Sequence, residues 1–353
     1  MKILGIESSC DETAVAVVEN GYRLISNVVA SSMDLHIQYG GVVPEIAARS
    51  HIEAIIPAIT KALDDAQTDW DNIDGLAVTY GAGLSGSLLI GVLTARTLAI
   101  IKNKPLYAIN HVEGHVYANF LTETSLPGYT LPTTQPSFPM LSLIVSGGHT
   151  QLVLFKNHFD YKLLGQTHDD AIGEAFDKVA KMLGLAYPGG PSISKKALEG
   201  NPQTYSLPKA RLENKYDFSF SGLKTAVLRL AQELIGEDFT FVSSKLPERL
   251  SEPQKADIAA CFQRIAIETV VDKTLAAFEE FQPKSVVIAG GVAANLELRN
   301  QLSSRLHIPI TYPDIKLCTD NGAMIATLGY YKAKLNQPLA DPYLLAIEPN
   351  LSM

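Results

Sequence analysis

Two segments of the chain alternate apolar and polar residues on both sides of a short polar turn. The first reads ILGIESSCDETAVAVV from Ile3, and the second reads MLSLIVSGGHTQLVLF from Met140. Alternation of this kind is typical of strands, because successive side chains point to opposite faces. Two such strands joined by a polar turn form a β-hairpin. The sequence therefore predicts two β-hairpins of the same shape.

Each predicted hairpin is followed downstream by an apolar run, a glycine-rich turn and an amphipathic run. These stretches read IDGLAVTYGAGLSGSLLIGVLTARTL over 73–98 and PKSVVIAGGVAANLELRNQL over 283–302. Each predicts a buried strand followed by a helix. A hairpin followed by strand, glycine turn and helix thus occurs twice, which favours two α/β domains that face one another across a cleft. An unrelated two-domain α/β protein is the alternative on the pattern alone.

The segment between the two copies carries no periodicity. Residues 122–138, TETSLPGYTLPTTQPSF, are rich in proline and threonine and predict a loop or linker. We therefore expect a first domain over 1–121, the linker over 122–138, and a second domain over 139–325. The remaining residues, 326–353, are expected to form a helix and tail that pack back on the first domain.

Residues 51–66, HIEAIIPAITKALDDA, place Ile52, Ile55, Ile56, Ile59 and Leu63 on one stripe. This spacing predicts an amphipathic helix, bent at Pro57. Core packing explains such a stripe most simply, and an interface with a partner is the alternative.

Length and composition indicate a folded protein. The chain has 353 residues, of which 46% are hydrophobic and 19% charged, and this length suits two domains. The N-terminus reaches Glu7 and Asp11 too early for a signal peptide. The apolar stretch 87–101 carries Arg96 and is short, so we do not expect it to span a membrane.

The cysteines and the net charge restrict the setting further. Cys10, Cys261 and Cys318 are far apart and odd in number, so they predict neither a disulfide framework nor a cysteine zinc site, and a reducing cytoplasm is the expected location. The net charge is −8, whereas proteins that bind nucleic acid unaided are usually basic. Binding to RNA would therefore need a local basic patch or partner proteins.

The stretch NHVEGHVYA, residues 110–118, carries the clearest candidate chemistry. Asn110 is a favoured N-cap and Glu113 falls at the N3 position of a capping box. His111 and His115 would then share one helix face and can bind a metal, while Glu113 lies about 200° round from His111. Zinc proteases place the glutamate next to the first histidine, so a protease is disfavoured. Two histidines sharing a face by chance remain the alternative.

A metal needs at least one further ligand, and Asp320 in KLCTDNGAMIA is the best candidate. Asp320 precedes a predicted helix, so the local sequence allows an N-cap role equally well.

Three glycine-rich turns predict a nucleotide ligand. They are VSGGHT over 145–150, YPGGPS over 187–192 and GGVAAN over 290–295. Backbone N–H groups in such turns can approach a phosphate.

The first hairpin turn, ESSCDET, offers carboxylates at Glu7, Asp11 and Glu12 that can orient a metal, a water or a nucleophile; a solvated turn is the alternative. Cys10 is predicted to be a thiol that takes no part in the chemistry, because no histidine lies near it in sequence to activate it as a nucleophile.

Taken together, these motifs resemble the TsaD family of tRNA N6-adenosine threonylcarbamoyltransferases, formerly labelled glycoproteases or O-sialoglycoprotein endopeptidases. The resemblance covers nearly the whole chain and rests on GIESSCDET, GGVVPEIAARSHIEAI, NHVEGHVYA, LIVSGGHTQL, GEAFDKVAK, YPGGP, DFSFSGLKTAV, GGVAANLELR and CTDNGAMIA. It implies duplicated RNase H-like domains of the ASKHA type (actin, hexokinase and heat-shock chaperones) with a central cleft.

The resemblance also implies roles for individual residues. His111, His115 and Asp320 match the family's metal ligands, for one divalent metal per subunit, iron(II) foremost and zinc as the alternative. Asp11 and Glu12 match acidic residues near the reacting end and are the candidate catalytic pair. The candidate substrate-binding residues are Ile144, Val145, Ser146, Gly147, Gly148, Asp177, Gly190 and Asn295. Ile144 stands where archaeal and eukaryotic relatives carry a metal-binding tyrosine, and Ser194 where some relatives carry a carboxylate.

The implied reaction moves the threonylcarbamoyl group from threonylcarbamoyl-AMP to N6 of adenosine 37 in tRNAs that read codons beginning with A. The implied partners are tRNA, the paralogue TsaB bound through helices 51–66 and 86–101, and the ATPase TsaE, with a homodimer for the isolated chain and no membrane. Arg49 and Lys224 are expected to contact RNA phosphates. A zinc protease, a kinase or ATPase of the same fold, and a non-catalytic partner like TsaB are the alternatives.

Overall fold

Two mixed β-sheets organise the chain. In the computed structural model, which describes residues 1–353, they belong to two units. One unit comprises Met1–Pro136 and Thr311–Met353, and the other comprises Ser137–Ile310.

The first sheet has six strands in the order β5-β4-β1-β2-β3-β6. Their bounds are β1 Lys2–Glu7, β2 Glu12–Glu19, β3 Arg23–Ser31, β4 Gly75–Gly81, β5 Leu106–Asn110 and β6 Glu123–Thr124. Strands β1, β2 and β3 form an antiparallel meander, and β4 and β5 extend the sheet on the other side of β1 in parallel pairing. The central strands are almost entirely buried because helices cover them.

The second sheet has five strands in the order β11-β10-β7-β8-β9. Their bounds are β7 Met140–Val145, β8 Thr150–Asn157, β9 Asp160–Gln166, β10 Ser285–Ala289 and β11 Ile310–Thr311. Strands β7, β8 and β9 repeat the antiparallel meander, and β10 pairs with β7 in parallel. Both predicted hairpins are therefore present, and the same strand order occurs twice. This confirms the predicted duplicated RNase H-like topology.

Helices pack on both sheets. Their bounds are α1 Met33–His36, α2 Pro44–Asp65, α3 Ser85–Lys102, α4 His111–Tyr117, α5 Ile172–Leu183, α6 Gly189–Ala197, α7 Ser221–Leu234, α8 Leu246–Arg249, α9 Glu252–Phe281, α10 Leu296–Arg305 and α11 Gly322–Lys334. Short 3-10 helices lie at Ile37–Tyr39, Trp70–Asn72, Ala118–Phe120, Ser243–Lys245, Gly291–Ala294 and Ile315–Leu317.

The unit boundaries differ from those predicted. Residues 311–325, expected to close the second domain, lie in the first unit. The reason is that α11 packs on β1, β2 and β4. The loop that leads into α11 therefore also lies in the first unit. Within the predicted linker 122–138, strand β6 pairs with β3, so part of that segment belongs to the first sheet.

Helix α3 is long and apolar enough to cross a membrane by length and composition alone, with a mean hydropathy of 1.4. One face of α3 packs into the core of the first unit through Val92, Ala95 and Ala99. Arg96 donates from its guanidinium to the carbonyl oxygens of Pro342, Tyr343 and Leu345. The polar residue within this apolar run thus anchors the C-terminal tail to α3.

Helix α11 approaches strand β1 unusually closely. A Cβ placed on Gly5 would lie 2.3 Å from the carbonyl oxygen of Gly322 and 2.4 Å from the amide nitrogen of Ala326. A Cβ on Gly322 would in turn lie 2.5 Å from the amide nitrogen of Ala16. Only glycine at these two positions lets the helix backbone rest on the sheet.

We predict that Gly5→Ala destabilises the chain by about 3 kcal/mol, because the new methyl group meets backbone atoms that cannot rotate away. Urea unfolding followed by circular dichroism measures the change. Gly222→Ala is the matched control, since a Cβ there meets nothing within 4 Å. Equal unfolding midpoints for Gly5→Ala and the wild type would show that α11 does not need this close approach.

Candidate metal centre and active site

Helix α4 begins at the end of strand β5 with a side-chain cap. The Oδ1 atom of Asn110 accepts the backbone N–H groups of Val112 at 2.8 Å and Glu113 at 3.2 Å. This confirms the predicted N-cap. All seven residues of α4 are buried, so the helix presents its two histidines inside the first unit.

The predicted capping box at Glu113 is wrong. Its Oε1 atom is buried without a hydrogen-bond partner. Burial raises the pKa of Glu113 to about 7, and the nearby ammonium of Lys332 opposes that rise. Glu113 is therefore a buried acid near Lys332, not the reciprocal partner of the Asn110 cap.

His111, His115 and Asp320 converge. The Nε2 atoms of His111 and His115 lie 3.6 Å and 3.3 Å from the same carboxylate oxygen of Asp320. One ligand atom from each residue falls within 4.8 Å of the others. Asn321, rather than Asp320, caps α11, because its Oδ1 atom accepts the N–H of Met324 at 2.9 Å. This resolves the two readings of Asp320, since its carboxylate is not used as a helix cap.

Gly114 allows α4 and α11, the helix that follows Asp320, to pack closely. It lies between the two histidines of α4, and a Cβ there would meet the Cδ1 atom of Ile325 in α11 at 3.0 Å. The side chains of α11 therefore pack directly on α4, which keeps Asp320 close to the histidine face.

The other ring nitrogen of His111 has its own partners. Nδ1 lies 3.2 Å from Glu7 Oε2 and 3.1 Å from Ser9 Oγ. Burial opposes ionisation of Glu7, but His111 and Ser9 outweigh it and hold the pKa of this carboxyl below its usual range. Burial likewise opposes protonation of His111, but the charges of Asp320 and Glu7 raise its pKa to about 9. The site thus strongly favours a positive charge.

These residues fit a metal ion. Nδ1 of His115 is buried without a hydrogen-bond partner, and Nε2 has only the 3.3 Å contact with Asp320, which lacks hydrogen-bond geometry; buried nitrogens in this state are costly unless something else binds them. Two imidazoles and one carboxylate are a common ligand set for zinc and for non-haem iron(II), with positions left open for other ligands. His111, His115 and Asp320 can therefore hold a divalent metal ion.

Asp11 lies in the turn between β1 and β2, and Glu12 is the first residue of β2, close to the predicted hairpin turn. Glu12 Oε1 accepts from Ser31 Oγ at 3.0 Å, while Glu12 Oε2 is buried without a hydrogen-bond partner. Burial and the charge of Asp11 raise the pKa of Glu12 to about 7. Burial and Asp11 also raise the pKa of the Cys10 thiol, so this cysteine is a poor nucleophile.

The second unit contains the predicted turn that follows β7. The side chains of Ile144 and Val145 are fully buried in the sheet, so any contact of these two residues with a ligand would be made by their backbone. Ser146 holds the turn through its Oγ, which accepts the N–H of His149 at 3.1 Å. A Cβ on Gly147 or Gly148 would meet nothing within 4 Å. The exposed part of this motif is therefore the glycine turn.

The other predicted binding residues of the second unit form two small clusters. Asp177 Oδ1 accepts the N–H of Gly189 at 2.6 Å, next to Gly190, whose added Cβ would meet nothing within 4 Å. Asn295 donates from Nδ2 to Ser194 Oγ and to Gln263 Oε1, both at 3.1 Å. Burial raises the pKa of Asp177.

Thr79 and Gln263 were not foreseen from the sequence. Thr79 is a buried hydroxyl that donates to Glu7 Oε2, and Gln263 accepts from Ser194 at 2.7 Å. A polar residue inside the apolar run of β4 was the available signal for Thr79. Gln263 lies within the long helix α9 and had no motif to mark it.

Lys224, expected to contact RNA, forms an ion pair with Asp170 within the protein. Its Nζ atom lies 2.6 Å from Asp170 Oδ2, and only 22% of its side chain is exposed. Lys178 pairs with the other oxygen of the same aspartate at 2.6 Å. Arg49 on α2 is exposed. Contact with RNA stays a prediction for both residues, and of the two only Arg49 is exposed.

A duplicated RNase H-like chain with two buried histidines beside a partly exposed aspartate defines a class of α/β proteins able to bind a metal. Comparison with known proteins narrows this class. The family model described as "TsaD: tRNA N6-adenosine threonylcarbamoyltransferase" matches residues 23–327. The chain belongs to this family, and is accordingly a transferase that modifies tRNA.

Two relatives carry the same description. The tRNA N6-adenosine threonylcarbamoyltransferase of Thermomicrobium roseum is 50% identical over 341 residues, covering 95% of this chain and 92% of the relative. That of Symbiobacterium thermophilum is 50% identical over 332 residues, covering 93% and 91%. The solved structure of full-length HypF, in its phosphate- and nucleotide-bound form, shares the fold, with a TM-score of 0.56 at 12% identity over 96% of this chain and 47% of that one.

We predict that replacing both His111 and His115 by alanine removes metal binding, because one carboxylate alone cannot hold a transition metal tightly at neutral pH. Metal content after dialysis against zinc, measured by mass spectrometry, checks this. His307→Ala, at an exposed histidine, is the control and should retain the metal. Stoichiometric zinc in the folded double variant would place the metal elsewhere.

Proposed function

We propose that the chain transfers the threonylcarbamoyl group from L-threonylcarbamoyladenylate to N6 of adenosine 37 in tRNAs that read codons beginning with A, and releases AMP. The observation that carries the proposal is the convergence of His111, His115 and Asp320 in a chain of this family. The glycine turns of the second unit support a nucleotide-bearing donor.

The proposed metal is iron(II), with zinc as the alternative. Two histidines and a carboxylate suit both ions, and three protein ligands leave positions open for a substrate oxygen. When bound, the ion would polarise a carbamoyl or phosphate oxygen of the donor. A zinc protease is disfavoured because Glu113 lies near Lys332 rather than serving the metal face.

The remaining chemistry needs a base rather than a protein nucleophile. The donor is a mixed anhydride, so its carbonyl carbon is already activated. The N6 nitrogen forms a C–N bond to that carbon, the C–O bond to phosphate breaks, and AMP leaves with the electron pair. The amine must then lose one proton. The buried, unpartnered Glu12 Oε2 and its pKa of about 7 suit this role, with Asp11 as its acidic neighbour.

The adenylate is proposed to bind the second unit. In the turn that follows Ser146, Gly147 and Gly148 have open space in front of them for a ligand to approach their backbone, whereas the N–H of Ser146 already donates to the carbonyl oxygen of His149. Gly190 offers the same space at the start of α6.

Asn295 is held by Ser194 and Gln263, and Asp177 fixes the neighbouring loop through Gly189. Ser194 would then position Asn295 instead of contacting the substrate directly.

An apolar face on the first unit supports a protein partner. The stripe of α2 divides: Ile55 and Ile59 are buried in the core, whereas Ile52 and Ile56 are exposed. Leu89 and Leu93 of α3 are exposed as well, and α2 packs on α3. We propose that this face, defined by Ile52, Ile56, Leu89 and Leu93, binds the paralogue TsaB, or a second copy of the chain when it is isolated.

Binding of tRNA is proposed to need this assembly, with TsaE as the associated ATPase, in the cytoplasm. A net charge of −8 gives little non-specific attraction for RNA. Lys224 is neutralised by Asp170, which leaves the exposed Arg49 on α2 as the candidate phosphate contact.

We predict that the assembled proteins, given the adenylate and tRNA, form the modified adenosine, detected by mass spectrometry of the digested tRNA. The rate of transfer should rise with pH and level off above an apparent pKa of about 7, because Glu12 must be ionised to accept a proton. Glu12→Gln should lower the rate by roughly a hundredfold or more and abolish this rise. A variant with the wild-type rate and profile would exclude Glu12 as the base, and absence of product from the wild type would contradict the function.

We predict that Ile56→Glu and Leu93→Glu each weaken partner binding at least tenfold, since a charge would be buried at the interface. Both side chains are exposed, so the isolated chain should keep its unfolding temperature. Leu198→Glu is the control, because Leu198 is 87% exposed and lies in the second unit. Partner binding that is equally strong in all three variants would place the interface elsewhere.

A further inference from the structure

Glu7 is a fully buried carboxylate at the end of strand β1. Its Oε1 atom accepts the backbone N–H of Ser9 at 2.6 Å. Its Oε2 atom accepts the hydroxyl of Thr79 and lies 3.2 Å from Nδ1 of His111. Both oxygens are therefore committed as acceptors, and the surrounding donors hold the carboxylate in one orientation.

This arrangement determines which nitrogen of His111 carries a proton. An ionised carboxylate only accepts hydrogen bonds, so Nδ1 of His111 must be the donor toward Glu7. The lone pair of the neutral ring then lies on Nε2. That atom is the one nearest Asp320, at 3.6 Å. Ser9 Oγ, 3.1 Å from the same Nδ1, can accept as a second partner.

We propose that Glu7 is a positioning residue that fixes the tautomer and ring orientation of His111 for metal binding. The inference rests on the metal role of His111 proposed above. Carboxylates that accept from the non-ligating nitrogen of a metal-bound histidine raise its basicity and restrict its rotation, and losing one typically costs 10- to 100-fold in metal affinity. His115 has no such partner, because its Nδ1 atom is buried without a hydrogen bond while its Nε2 atom faces Asp320.

Glu7→Gln is the sharpest substitution, because it keeps the shape and changes only the acceptor pattern. If the amide oxygen stays toward Ser9, its NH₂ group faces Thr79 and His111, and Nδ1 must become an acceptor. The proton of a neutral ring then sits on Nε2, where it blocks the metal. If the amide turns over, its NH₂ group faces the N–H of Ser9 instead, and two donors oppose each other. The first orientation therefore removes the lone pair that the metal needs on Nε2, and the second leaves two donors facing each other.

Glu113→Gln is the matched control. It makes the same change at a second buried glutamate of the first unit, on the same helix as His111. Glu113 makes no hydrogen bond to either histidine ring. A loss of affinity caused only by removing a buried carboxylate would therefore appear in both variants, whereas a positioning effect would appear in Glu7→Gln alone.

Zinc affinity of the metal-free chain, titrated against a chromophoric chelator at pH 7.5, tests the proposal. We expect Glu7→Gln to weaken zinc binding 10- to 100-fold, Glu113→Gln to stay within about twofold of the wild type, and His111→Ala to weaken binding further. Wild-type affinity in Glu7→Gln together with a loss in His111→Ala would overturn the positioning role and leave the metal site intact. Unchanged affinity in His111→Ala would instead contradict the metal site itself.

A second measurement covers the case in which Glu7→Gln fails to fold. In the zinc-loaded wild-type chain, ¹⁵N–¹H correlation spectra of the histidine rings should show His111 bound through Nε2, with a proton retained on Nδ1. Zinc bound through Nδ1 of His111, or a ring without a proton on Nδ1, would overturn the proposal without any variant.

Discussion

The close approach of helix α11 to strand β1 is the constraint on which the candidate metal centre depends. Gly5 and Gly322 let backbone meet backbone, and α11 then packs on both the sheet and α4. Asn321 caps α11, which leaves the carboxylate of the preceding Asp320 to face the histidines. A wider separation would withdraw the third ligand while leaving His111 and His115 in place.

Electrostatics then define what the centre can hold. Two carboxylates, Glu7 and Asp320, act on the buried ring of His111 and raise its pKa to about 9. Such a site needs a positive charge to offset the desolvation of its acids. A proton on His111 supplies one charge, and a divalent cation bound to the neutral ring supplies two. Metal binding and proton release are therefore expected to be linked.

Much of the fold and part of the site followed from the sequence, because the signals were local. Alternation predicted both hairpins, and the spacing of His111 and His115 predicted a shared helix face. The local sequence could not decide whether Asp320 caps α11 or faces the histidines. The structure decides it, because Asn321 is the residue that caps α11. The capping box at Glu113 was wrong because its buried carboxyl lies near Lys332 and does not accept the N–H of Asn110. Residue spacing alone does not reveal the position of Lys332, which is distant in sequence.

Non-local packing accounts for the other differences. The second unit ends at Ile310 rather than at residue 325. The reason is that α11, near the C-terminus, packs on β1 and β2 of the first sheet, which lie at the N-terminus. Lys224 is expected from the sequence to contact RNA phosphates, but its Nζ atom lies 2.6 Å from the carboxylate of Asp170, a residue 54 positions away in sequence. Glu7 was recognised as one carboxylate among three, and only its contacts with Thr79 and His111 distinguish it from its neighbours.

X-ray absorption spectroscopy of the zinc-loaded chain tests the central claim most directly, because it reports the atoms that surround the metal. A centre built from His111, His115 and Asp320 requires two imidazole nitrogens at about 2.0–2.1 Å, with the remaining ligands oxygen. The Cys10 thiol lies in the adjacent β1–β2 turn, so sulfur is a real alternative ligand. A sulfur shell at about 2.3 Å, or scattering from only one imidazole, would contradict the account.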